Sequence, residues 1–100
     1  MIKHIVMFKF MEWAEGGDKA ANIRELKARL EALPAQIGEI KFFEVGINFI
    51  QASVAYDLVL VSEFDSIEAL YRYQKHPEHV KVAEFVGKTC ESRIVVDYVF

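Results

Sequence analysis

Four stretches of this chain alternate with a period of two, and in each of them both alternating sets are apolar. In residues 2–10, Ile2, His4, Val6, Phe8 and Phe10 share one face, and Lys3, Ile5, Met7 and Lys9 share the other. In Ile40–Asn48, Phe43, Val45 and Ile47 oppose Ile40 and Phe42. In Val54–Phe64, Tyr56, Leu58 and Leu60 oppose Val59 and Val61. In Ser92–Phe100, Ile94, Val96, Tyr98 and Phe100 oppose Arg93, Val95, Asp97 and Val99. A sheet with water on one side pairs an apolar face with a polar one. Strands of this kind need cover on both faces.

Two helical segments separate the strands. Glu15, Gly16 and Gly17 break the first pattern, and Asp18 caps a helix whose Ile23, Leu26, Leu30 and Leu33 recur in steps of three and four, up to about Pro34. Glu25 and Arg29, four apart, mark its solvated side. After the break at Pro34 and Gly38 come two strands. Asp65, Ser66 and Glu68 then open a second helix, with Asp65 and Glu68 at capping-box spacing ahead of Ile67, Leu70 and Tyr71. Pro77 disfavours helical geometry at His76 but suits the first position of a new helix, so the segment kinks or restarts there and ends at Gly87.

The order βαββαβ with right-handed crossovers predicts an α+β, ferredoxin-like domain spanning 1–100, a four-stranded antiparallel sheet with its helices on one face. The opposite face, with Ile5, Met7, Val59, Val61, Ile94, Val96 and Tyr98, exceeds the apolar patch a soluble monomer shows. Packing sheet on sheet across a two-fold axis covers it, so the expected unit is a homodimer, a dimeric α/β barrel. At 100 residues there is no room for a second core. A net charge of −3 with interspersed signs offers no basic stripe, so neither nucleic acid nor membrane is expected as a partner. A lone cysteine, Cys90, and no signal-like apolar run point to a cytoplasmic protein, with Cys90 a small, partly buried residue.

The chemistry-bearing residues cluster around Tyr73–Val80. On a helix starting at Pro77, His79, Val82, Ala83 and Val86 fall on one apolar stripe. The first strand places His4 in line with Val6 and Phe8, and Tyr73 precedes the kink. These residues, with Leu60 of the third strand, are expected to meet in a pocket between sheet and helices that takes a small apolar ligand. The bland alternative makes His79 a core-edge histidine bonded to a carbonyl and His4 a locally satisfied one. His76 reads as an exposed helix cap. His4, His76 and His79 lack a carboxylate on an obvious common face, so no metal is expected.

The segments Ile2-Lys3-His4-Ile5-Val6, Tyr56-Asp57-Leu58-Val59-Leu60, His76-Pro77-Glu78-His79-Val80 and Val96-Asp97-Tyr98 resemble the stress-responsive dimeric α/β barrel family over nearly the whole chain. That resemblance implies a site. A plant member of the family closes a linear polyketide by aldol condensation with a histidine and a tyrosine that correspond to His79 and Tyr73, beside a first-strand histidine that corresponds to His4. Its third-strand pocket histidine falls at Leu58, which implies a more apolar pocket here. The reading is cofactor-free acid–base chemistry on a carbonyl or polyketide-like ligand, of aldol cyclisation, isomerisation or lyase type. His79 serves as base and Tyr73 as donor to an enolate oxygen. Two alternatives share the frame: a non-enzymatic stress or structural oligomer with a filled core, and a cofactor-independent monooxygenase or haem-degrading protein.

Overall fold

The computed structural model describes residues 1–100. Its elements are β1 (Ile2–Phe10), β2 (Trp13–Ala14), β3 (Gly17–Asp18), α1 (Lys19–Glu31), a 3₁₀ turn (Leu33–Ala35), β4 (Phe42–Ile47), β5 (Leu58–Phe64), α2 (Ile67–Lys75), α3 (Pro77–Thr89) and β6 (Cys90–Val99). The main sheet has the order β4-β5-β1-β6, and every pairing in it is antiparallel. This is the ferredoxin-like α+β arrangement, with the helices on one face. No helix is long and apolar enough to cross a membrane.

The caps follow from local chemistry. Asp18 is extended, and its carboxylate accepts the Ala21 amide at 2.8 Å, which starts α1. The second helix departs from expectation: its cap is Ser66, whose Oγ accepts the Ala69 amide at 3.1 Å, and no Asp65–Glu68 capping box forms. At Pro77 the helix does restart. His76 is extended (φ −62°, ψ 135°), and its Nδ1 accepts the Glu78 amide at 3.1 Å. Gly87 does not end α3, which continues to Thr89, where the Thr89 hydroxyl bonds the Phe85 carbonyl at 2.8 Å.

Other boundaries also move. The break read at Glu15, Gly16 and Gly17 is the turn and entry of a β2–β3 hairpin, turned by Glu15 (φ 50°) and Gly16 (φ 75°) in the left-handed region that a two-residue hairpin needs. The Asn22 amide ties this hairpin to α1 by donating to the Ala14 carbonyl at 2.9 Å. Helix α1 stops at Glu31, short of Pro34, and the chain tightens into the 3₁₀ turn. β4 and β5 are shorter than their apolar patterns. Ile40 lies ahead of β4 and packs on the helix-side core, not on the opposite face, and Val54 stands exposed in the loop before β5.

The core lies between the helices and the sheet around Leu26, Leu33, Ile37, Phe10 and Phe64. The other sheet face is open: Met7, Ile94, Val96 and Tyr98 are all exposed. The last strand enters through a bulge, since Phe10 pairs with Cys90 and Lys9 with Ser92, which leaves Glu91 without a partner on β1. From there to Val99 the register is regular and sets Asp97 directly across from His4.

Leu26 has no solvent exposure in this core. Leu26→Ala is therefore expected to lower unfolding stability by about 2–5 kcal/mol in urea titrations at fixed protein concentration. A loss below about 1 kcal/mol would show that the site collapses around the deletion, against the packing described.

Candidate functional site

The proline break organises the chemistry. In an uninterrupted helix the Gln74 carbonyl would accept the amide of Glu78, four residues on. Here that amide is held by His76, and the Gln74 carbonyl instead faces the ring of His79, 3.0 Å from Nδ1. A carbonyl only accepts, so Nδ1 carries the proton. In the neutral ring Nε2 then holds a free lone pair.

His79 is half-buried, and burial pulls its pKa below the ordinary imidazole value. The Gln74 hydrogen bond opposes this, while His4, Arg93 and His76 lower it further. The ring is neutral at physiological pH and available as a base.

Tyr73 lies against it with ring centroids 4.5 Å apart, inside an aromatic cluster that also holds Phe64 at 4.8 Å and Phe43 at 6.1 Å. It has no solvent exposure, and its hydroxyl has no hydrogen-bond partner. Burial pushes the phenol far above its usual pKa, so it stays an O–H donor with nothing to donate to. Buried hydroxyls almost always find partners, so an unmet one calls for an explanation.

His4 is the second imidazole. It is buried, 6.4 Å from the Tyr73 ring by centroid, and its Nδ1 meets the Asp97 carboxylate at 2.5 Å. The carboxylate accepts, so His4 also presents Nε2. No local pattern points to this partner, 93 residues away in the chain. Asp97 comes into place only because β1 and β6 are neighbours in this register, and it meets His4 alone, not His76 or His79.

These groups line a cavity of about 490 Å³ between sheet and helices. His4, Val6, Phe8, Leu60, Tyr73, His79, Val82, Ala83 and Val86 all contribute to its wall. Leu58 does not: it is buried in the core on the same face of β5 and reaches no part of the cavity. Sequence reasoning missed Leu30, Gln74, Gly87, Arg93 and Val95. Arg93 and Val95 were legible by parity, because they alternate with Asp97 on one face of the last strand. The exposed lining residues, Ala83, Gly87, Arg93 and Val95, belong to α3 and β6, so the cavity opens between those two elements. Cys90 is partly buried, and burial raises its thiol pKa, which keeps it in the unreactive form.

Comparison with known proteins gives a family and a fold. The stress-responsive A/B barrel domain matches residues 2–100. An uncharacterized protein of Streptomyces coelicolor is 31% identical over 100 residues, the full length of both chains. A dimeric protein of unknown function with a ferredoxin-like fold from Bacteroides fragilis superposes with a TM-score of 0.86 at 38% identity, covering 99% of this chain and 95% of that one. A hydroxynitrile lyase from Passiflora edulis has the same fold, with a TM-score of 0.82 at 17% identity, covering 99% of this chain and 92% of the other.

Two outcomes follow from the buried groups. Tyr73→Phe removes an unpaired hydroxyl, so its melting temperature is expected to equal or exceed that of the wild type, by up to about 1–3 kcal/mol of stability; a clear drop would mean that the hydroxyl is paired. His79 has a folded pKa below its unfolded value of about 6.5, so the stability tied to its neutral form is present above that pH and lost as pH falls. Between pH 7 and 5 the His79→Gln variant should lose less stability than the wild type in urea titrations, and parallel losses would contradict the burial effect.

Proposed function

This chain belongs to the stress-responsive A/B barrel domain family, and we propose that it is a homodimer in which each protomer binds a small, largely apolar carbonyl compound and moves a proton on it without a cofactor. The observation that carries this reading is the buried, unpartnered Tyr73 hydroxyl beside a neutral imidazole whose Nε2 is free. A carbonyl oxygen placed at the hydroxyl receives its hydrogen bond. The charge that develops on that oxygen as a proton leaves the adjacent carbon is then stabilised where it forms.

His79 Nε2 is the base for that proton, and its lowered pKa keeps it in the accepting form. His4, held by Asp97, is a second proton carrier on the sheet side. Aldol cyclisation, isomerisation and lyase chemistry all use this minimal set. The lyase from Passiflora edulis has a fold of this kind, at an identity that carries the fold alone. A filled core, which a purely structural oligomer expects, is at odds with a cavity of about 490 Å³.

Homodimer formation is supported by the open apolar sheet face and by the dimeric state of the similar Bacteroides fragilis protein. The interface assigned to it contains Ile5, Val59, Ile94 and Val96, on the face opposite the cavity.

Light scattering at micromolar concentration should give twice the 11.5 kDa chain mass, and Val96→Asp should shift the protein toward the monomer. A wild-type monomer with cooperative unfolding would end the dimer proposal. The chemistry is tested by proton exchange: in D₂O, NMR should show the α-protons of acetophenone or cyclohexanone exchanging faster with protein than in buffer alone. His79→Ala should slow that exchange by about 10²-fold or more while leaving dimerisation intact. Exchange no faster than in buffer for either ketone would count against the base.

A further inference from the structure

Arg93 sits at the mouth of the cavity, on the β6 face that also carries Val95 and Asp97. None of the protein's ion pairs involves it. Asp97, two positions beyond Val95 on the same strand face, is already taken by His4. Further along the same cavity, beside His4, Tyr73 lines the wall, and its hydroxyl is buried and without a partner. The space therefore has a permanent cation at its opening, a wall residue with an unmet buried donor, Tyr73, and an apolar lining of Val6, Phe8, Leu60, Val82 and Val86.

We propose that the occupant of this cavity is an organic acid: an apolar body whose carboxylate pairs with the Arg93 guanidinium at the mouth while a second oxygen reaches Tyr73 inside. This rests on the pocket reading above and narrows its ligand class. A guanidinium forms two parallel hydrogen bonds with a carboxylate, and no other group at this opening offers that geometry. Arg93 anchors and orients. It takes no part in the proton transfer assigned to His79.

Position along the strand supports the assignment. Arg93 is opposite Phe8 in the β1–β6 register, and both line the cavity, so an acid held at the mouth projects its body along the β1 face toward Val6 and His4. Gly87 of α3 faces the same opening, and a Cβ added there meets nothing within 4 Å. The helix thus leaves the entrance clear opposite the arginine.

The test compares octanoate with octanamide, which share a chain and differ in charge, by calorimetric titration of the wild-type protein. Octanoate is expected to bind about tenfold more tightly or better, a difference of about 1.4 kcal/mol. In Arg93→Gln that preference should vanish while octanamide binding persists, and Arg93→Lys should restore it in part. Gly87→Leu, whose Cβ has open space at the opening, should weaken both probes alike. Equal binding of the two probes by the wild type, or an unchanged preference in Arg93→Gln, would overturn the acid while leaving the pocket intact. If neither probe saturates the wild-type protein in the millimolar range, the pocket reading falls and the acid with it. Arg93 is exposed, and unchanged far-ultraviolet circular dichroism of its variants confirms that they fold.

Discussion

A helix broken by proline leaves carbonyl groups in its last turn without amide partners, and in this protein one of them, at Gln74, is met by a histidine ring from the first turn of the next helix. Pro77 supplies no amide, and His76 uses its own ring to hold the amide of Glu78. What remains for the Gln74 carbonyl is the Nδ1 proton of His79. One bond therefore closes the helix junction, turns the ring toward Tyr73 and fixes which nitrogen keeps its lone pair. Were α2 and α3 continuous, that carbonyl would be occupied and the imidazole free to choose either tautomer.

The sheet divides the molecule into two unlike surfaces with one set of strands. On the helix side, alternate residues of β1 and β6 supply His4, Val6, Phe8, Arg93, Val95 and Asp97. On the other, the intervening residues Ile5, Met7, Ile94 and Val96 stay apolar and open. Because β6 is an edge strand beyond the reach of much of the helical layer, its inward face is lined and not filled, and the cavity opens there. Site and open face can thus change independently in sequence, since no side chain belongs to both.

Much of the fold was legible in the sequence because it rests on local rules. β1 has the bounds its alternation gave, Asp18 caps α1, and Pro77 restarts the helix at the expected residue. Where locality failed, a specific competing effect took over. The β2–β3 hairpin turns on Glu15 in a left-handed conformation that its type does not advertise. Gly87 stays helical, and α3 runs on to Thr89, where the extended Cys90 ends it with its amide on the Val86 carbonyl. Ile40, on an outward count, is drawn onto the core because the strand has not yet begun. The site followed the same division. Helical spacing placed His79 beside Val82 and Val86, and strand alternation placed His4 beside Val6 and Phe8. The His4–Asp97 pair, by contrast, is a contact across the whole chain that only register creates. Leu58 shares the correct face and misses the cavity, because face says nothing about depth.

Register in β6 hangs on one unpaired residue. If Glu91 were drawn into the ladder, the pairing from Phe10–Cys90 would continue as Lys9–Glu91 and Phe8–Ser92, and every later partner would shift by one. Val96 would then stand opposite His4, Ile94 and Tyr98 would turn toward the helices, and Arg93 and Asp97 would be carried to the outer surface. The bulge acts as a phase setting for the strand: one misplaced backbone unit decides which half of its side chains becomes chemistry and which half becomes contact surface.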